Sequence, residues 1–163
     1  MRRHIVTPSH NALTTNNAIH EAGHVIAACR YGRGFEYASL HATVPKPFRA
    51  IECPNEHNTR RIIRLMAGSF AEGPCLEFFT RPELGDYRSA LVLLRELPEF
   101  VTLEALAAQF VEPFTLQYKD EIRAIADLLE ARGLVRAGES DVLAITSQVE
   151  WYPERVMRRL TET

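Results

Sequence analysis

Long hydrophobic runs are missing from this chain. A membrane-spanning helix needs about 18 or more consecutive apolar residues, and no such stretch occurs. Cysteine is scarce. Cys29, Cys53 and Cys75 are odd in number and show no CxxC spacing, which argues against a disulfide framework and for reduced thiols in a cytoplasmic protein. An excess of one charge is also absent: 19 Lys and Arg against 21 Asp and Glu leave a formal net charge of −2. Nucleic acid or an anionic membrane is therefore not expected as the main partner. No GxxxxGK(S/T) phosphate loop occurs, so no nucleotide-driven motor is expected. After Arg2-Arg3, the segment Thr7-Pro8-Ser9-His10-Asn11 is polar and lacks the apolar core of a signal peptide. Internal repeats, low-complexity tracts and linkers are not evident, so residues 1–163 are expected to form one domain.

What is present begins with His20-Glu21-Ala22-Gly23-His24. On a helix, side chains at i and i+4 lie one above the other, so both imidazoles can reach one metal ion. Glu21 points to a different angle, where a carboxylate can work on a water beside the ion. Ala18, Ala22, Val25, Ile26 and Cys29 recur at helical spacing, and Asn16-Asn17 are suited to cap the helix just before them. Gly32 and Gly34 are expected to end it after Tyr31, and residues 1–15 are expected to form a poorly structured arm.

Further along, Phe35 to Val44 reads as a strand rich in aromatic and β-branched residues, with Arg49 to Cys53 as a short partner. A helical pattern runs from about Thr59 to Phe79 and is broken at Gly73-Pro74. Another starts near Asp86 and reaches about Glu96. Leu103 to Arg132 is helical again, with Pro113 as a kink or boundary and Gly133 as the end. A last short helix is expected after Tyr152-Pro153. Arg60, Arg61 and Arg64, and likewise Arg155, Arg158 and Arg159, are expected on solvated helix faces. The balance predicts a mainly α fold with one small β-sheet, an α+β class.

A catalytic zinc site usually takes three protein ligands and leaves a position for water. Ala27 and Arg30 occupy the positions where a metzincin has Gly and His, and no Glu is followed four residues on by Asp, so those two solutions are excluded. Asp86, at the start of a helix, can be a ligand or merely an N-cap. Glu72, His57 and His41 are the other candidates.

Three segments in order, Ala18-Ile19-His20-Glu21-Ala22-Gly23-His24-Val25, Ala67-Gly68-Ser69-Phe70-Ala71-Glu72 and Gly85-Asp86-Tyr87-Arg88-Ser89-Ala90, resemble landmarks of the FtsH-type zinc protease domain. In that family they read as a HEAGH helix, an AGRxAE helix and a segment whose Asp is the third zinc ligand. The resemblance runs from about residue 15 to 145 and includes a closing helix and turn around Ile122 to Glu139. It implies Zn2+ held by His20, His24 and Asp86, Glu21 as catalytic base, and Glu72 as support behind a ligand or as an alternative ligand. It also implies an edge strand beside the cleft, Ser39, Leu40, His41 and Ala42, to which an extended peptide could add. Departures are Ser69 for the family's Arg, Gly85 for its Asn, and a spacing of 86 − 24 = 62 residues between His24 and Asp86. Neither the family's ATPase module nor its membrane anchor is found in the chain.

The resulting expectation is a zinc-dependent peptidase acting on peptides or unstructured segments without ATP, alone or beside a separate ATPase partner, with a homo-oligomer as one form it can take. The alternative is an inactive domain of the same kind that binds peptides or regulates. Zinc as a structural staple fits less well, because such sites usually close with four Cys or His ligands.

Overall fold

The structure, a computed structural model, describes residues 10–41, 46–73, 78–79, 85–153, 155 and 157. Helix α1 (His10–Tyr31) is its axis. It starts six residues ahead of Asn16, takes in the last six residues of the expected arm and runs straight through the Asn pair expected to cap it. Asn costs only a few tenths of a kcal/mol in a helix interior, and neither Gly nor Pro stands between His10 and Ala22 to stop the helix. From Ala22 to Ala28 every residue of α1 is buried, including the expected stripe Ala22, Val25 and Ile26. The chain turns off at Gly32 and Gly34, whose N–H groups both donate to the Ala28 carbonyl at 3.0 Å.

Helix α2 (Asn58–Glu72) packs along α1 and buries Ile62, Ile63, Met66, Ala67 and Phe70. The backbones come very close where Gly23 meets Gly68. A Cβ on Gly23 would stand 2.7 Å from the Ala67 carbonyl oxygen and 2.7 Å from the Ala71 Cβ, closer than any side chain allows. Helix α3 (Gly85–Leu94) runs back along α2. Asp86 at its start lies near the far end of α2, and Glu96 just past its end accepts a hydrogen bond from Asn58 at 2.6 Å.

The expected long helix from Leu103 to Arg132 is broken into pieces. A short α4 (Leu103–Leu106) is followed by a π-helical turn over Ala107–Val111, then α5 (Glu112–Gln117) and α6 (Lys119–Arg132). Pro113 brings no N–H to the helical ladder and its ring crowds the preceding turn; the wide π-turn immediately before it relieves that crowding. Gly133, at φ +75°, ends α6 in the left-handed conformation that suits glycine.

Strands β1 (Phe35–Ser39), β2 (Phe48–Ala50) and β3 (Leu134–Arg136) form an antiparallel sheet in the order β2-β1-β3. This corrects the expected edge strand. β1 is central: Ser39 pairs with Leu134, and its N–H donates to the Pro47 carbonyl at 2.7 Å. Leu40 donates to the Gly133 carbonyl at 2.7 Å, and His41 to the Ser39 Oγ at 3.0 Å. Those three N–H groups are already engaged and unavailable to a peptide; Ala42 lies outside the described residues. The cause is β3, only three residues long and too short to read from sequence. A short α7 (Ser140–Thr146) follows β3 and was equally unforeseen.

The C-terminal segment ties down the end of α1. Tyr152 N–H donates to the Arg30 carbonyl at 2.7 Å and Trp151 Nε1 to the Gly32 carbonyl at 3.1 Å. Arg60 donates to the Tyr152 carbonyl at 2.6 Å. The arginines of α2 are therefore not a uniformly solvated face. Arg60 is buried under Trp151, Arg64 is largely buried against Glu56, and Arg61 alone of the three is exposed. Arg155 is helical and exposed, while Arg158 and Arg159 lie outside the described residues. Among the described residues, no helix is long and apolar enough to cross a membrane.

Candidate metal centre

His20 and His24 lean from α1 over Gly68 of α2, and Asp86 reaches them from the first turn of α3. The two Nε2 atoms are 3.1 Å apart. Asp86 Oδ2 lies 3.2 Å from His24 Nε2 and 3.5 Å from His20 Nε2. Zinc bonds of about 2.0–2.2 Å in tetrahedral geometry demand ligand-to-ligand edges of roughly 3.3–3.6 Å, so the three edges suit such an ion with little adjustment.

The chemistry of the donors leads to the same fit. His24 Nδ1 donates to the Arg64 carbonyl at 3.0 Å. That bond fixes the tautomer and leaves the Nε2 lone pair facing the Asp86 carboxylate. Two acceptors turned toward each other call for a cation between them. His20 Nδ1 is 3.2 Å from Glu72 Oε2, which orients this ring in the same manner. Glu72 thus touches the far nitrogen of His20 and stands behind a candidate ligand, outside the triangle.

Without metal, a proton is the available cation. Burial disfavours the charged His20 ring, but hydrogen bonds to Asp86 and Glu72 and the nearby charge of Glu21 outweigh it and lift its pKa from 6.5 to about 10. Burial would push the Asp86 carboxyl up, yet the hydrogen bond from the protonated His20 and the His24 ring beside it hold it well below the usual carboxylate range. The His20 proton stabilises the metal-free fold fully below about pH 6.5, and this contribution is lost as pH rises through about 10. The Asp86 contribution is present above its ordinary value and lost as pH falls. Metal must displace the His20 proton, so apparent zinc affinity should rise about tenfold per pH unit between pH 7 and 9. Competition with a chromophoric chelator at several pH values, corrected for the chelator's own titration, checks this; a flat affinity contradicts it.

Glu21 is only 8% exposed, and its Oε2 has no hydrogen-bond partner. Burial raises its pKa, against the pull of His24 and His20. An orphaned carboxylate oxygen in this position is costly and fits a group that meets a water or substrate. Phe48 of β2 stacks on His24, with centroids 5.5 Å apart and planes 20° from parallel.

The structure therefore brings together His20, His24, Asp86, Glu21 and Glu72. It does not bring His57 or His41 into the cluster. His57 caps α2, accepting the Thr59 N–H at 3.2 Å, and the His41 ring rests against Gly133. The Arg64 carbonyl and Phe48 were not foreseen. A main-chain carbonyl leaves no trace in residue type, and Phe48 is recognisable only once β2 is placed. A scan against protein-family models finds no match to this chain, and a search of curated proteins finds none.

Proposed function

We propose that the chain is a zinc-dependent peptidase similar to the FtsH-type protease domain, cytoplasmic, acting on peptides or unstructured protein segments. The observation that carries the reading is the triangle of His20 Nε2, His24 Nε2 and Asp86 Oδ2 beside the Glu21 carboxylate, whose Oε2 has no hydrogen-bond partner. His20, His24 and Asp86 would hold the ion, with Glu72 and the Arg64 carbonyl fixing the two rings. A zinc ion bound there supplies Lewis acidity toward a water and the scissile carbonyl. Glu21 accepts a proton from the attacking water and passes it to the leaving amine nitrogen as the C–N bond breaks. Its depth in the fold favours that shuttle, because burial makes the carboxylate a stronger proton acceptor.

An extended substrate has an edge to use, though not the one expected. Among the described residues, β2 pairs with β1 on one side only, and its Phe48 ring lies against His24. A peptide added to the outer edge of β2 would pass close to the ligand atoms.

Zinc-loaded protein should digest a flexible substrate such as casein without ATP and spare a tightly folded one. Chelation should stop digestion and added zinc restore it. Equal digestion of both substrates would contradict the substrate class. A zinc-loaded chain that cleaves no peptide would overturn the peptidase reading in favour of a module that binds without turnover.

A further inference from the structure

A recess of about 390 Å³ lies between α2 and α3, lined by Arg61, Arg64, Leu65, Ser89, Val92 and Leu93. It continues the line on which the candidate ligands sit. On α2, Arg61, Leu65, Gly68 and Glu72 share one face at helical spacing, and the last two touch the histidine rings. On α3, Asp86, Ser89 and Leu93 share a face in the same way, and Asp86 completes the triangle. A helical turn rises about 5.4 Å, so the recess lies one to two turns from the ligands. An extended peptide covers that distance in roughly two or three residues.

Charge in this region is one-sided. Among the described residues, the lining contains two arginines and no carboxylate. A carboxylate beside it, Glu56, lies in the field of Arg64, Arg61, Arg60 and Arg33 together. Arg64 is committed to it through a largely buried ion pair. Arg61 is exposed, and among the described residues no carboxylate pairs with it. Opposite it, Ser89 presents an exposed hydroxyl, and Val92 is left 58% exposed beside it.

We propose that this recess is a substrate subsite for an acidic side chain, two or three residues from the bond presented to the metal triangle. Arg61 binds the carboxylate, Ser89 donates a hydroxyl to it, and Leu65, Val92 and Leu93 receive the methylenes of the side chain. Specificity for acidic segments follows from the surplus positive charge, which also repels lysine. The substrate class rests on the peptidase reading; the electrostatic preference can be measured without turnover.

The test uses zinc-loaded Glu21→Gln protein and C-terminally amidated peptides that differ only in carrying Glu, Gln, Leu or Lys at successive positions. Amidation removes the terminal carboxylate, and a free-acid set shows whether that group is the anion bound. At one position Glu should bind about fivefold more tightly than Gln, with Lys weakest and the advantage shrinking as salt rises. Arg61→Gln should erase the difference and Arg61→Glu should invert it toward Lys, both with unchanged zinc content. Equal binding of Glu and Gln at every position, tighter binding of Leu, or preference for the free-acid terminus alone would overturn the subsite. A wild-type chain that discriminates but never cleaves defeats the peptidase reading only; one that cleaves without discriminating defeats the subsite only.

Discussion

Glu21→Gln protein should keep one zinc ion per chain and lose peptide hydrolysis by roughly 10²–10⁴-fold, the range that a positioned general acid–base supplies. Gln matches Glu in size, so the packing around α1 need not change. The ion should stay because His20, His24 and Asp86 would provide the ligand atoms, and Glu21 is outside their triangle. What disappears is the proton acceptor. The unpartnered Glu21 Oε2 would become one end of an amide that cannot take a proton from water. Peptide binding should persist, so the loss should fall on kcat more than on KM. Activity within tenfold of wild type would refute the role of Glu21. Loss of zinc together with activity would make Glu21 a ligand.

The second large effect is expected from Gly68→Ala. In the middle of a helix this change ordinarily stabilises by up to about 1 kcal/mol. Here the new Cβ would stand 2.5 Å from His24 Nε2 and 2.8 Å from His20 Nε2. Both atoms belong to the metal triangle, so both rings must move to make room. Disturbing the groups that merely orient a ligand costs about 10–100-fold in metal affinity. Displacing two candidate ligand atoms at once should cost about 100-fold or more in metal affinity, and the metal-free fold should lose the His20–Asp86 contact as well. Chelator competition measures the affinity, and circular dichroism follows the metal-free fold. Wild-type zinc affinity in this variant would mean that the rings do not lie over Gly68.

The paired histidines were legible because helical periodicity alone puts i and i+4 on one face. The end of α1 at Gly32, the break at Gly73 and the close of α6 at Gly133 were legible because glycine marks those turns locally. Asp86 was only half legible. Residue type and position left it between a cap and a ligand, and the choice came from resemblance to a family. Pairings between distant segments were not legible at all. Strand β3 has three residues, and without it β1 reads as an edge. Arg64 is buried against Glu56, just ahead of its own helix, but the burial of Arg60 depends on Trp151 and Tyr152 arriving from the far end of the chain. A helix drawn from its own sequence cannot reveal a partner more than ninety residues away.

A crystal structure of the zinc-loaded chain tests the central claim most directly. The ion should sit about 2.0–2.2 Å from His20 Nε2, His24 Nε2 and an Asp86 carboxylate oxygen, with Glu21 close by and not bound to it. An ion held by the two histidines while Asp86 turns to solvent, or bound away from α1 altogether, would contradict the account.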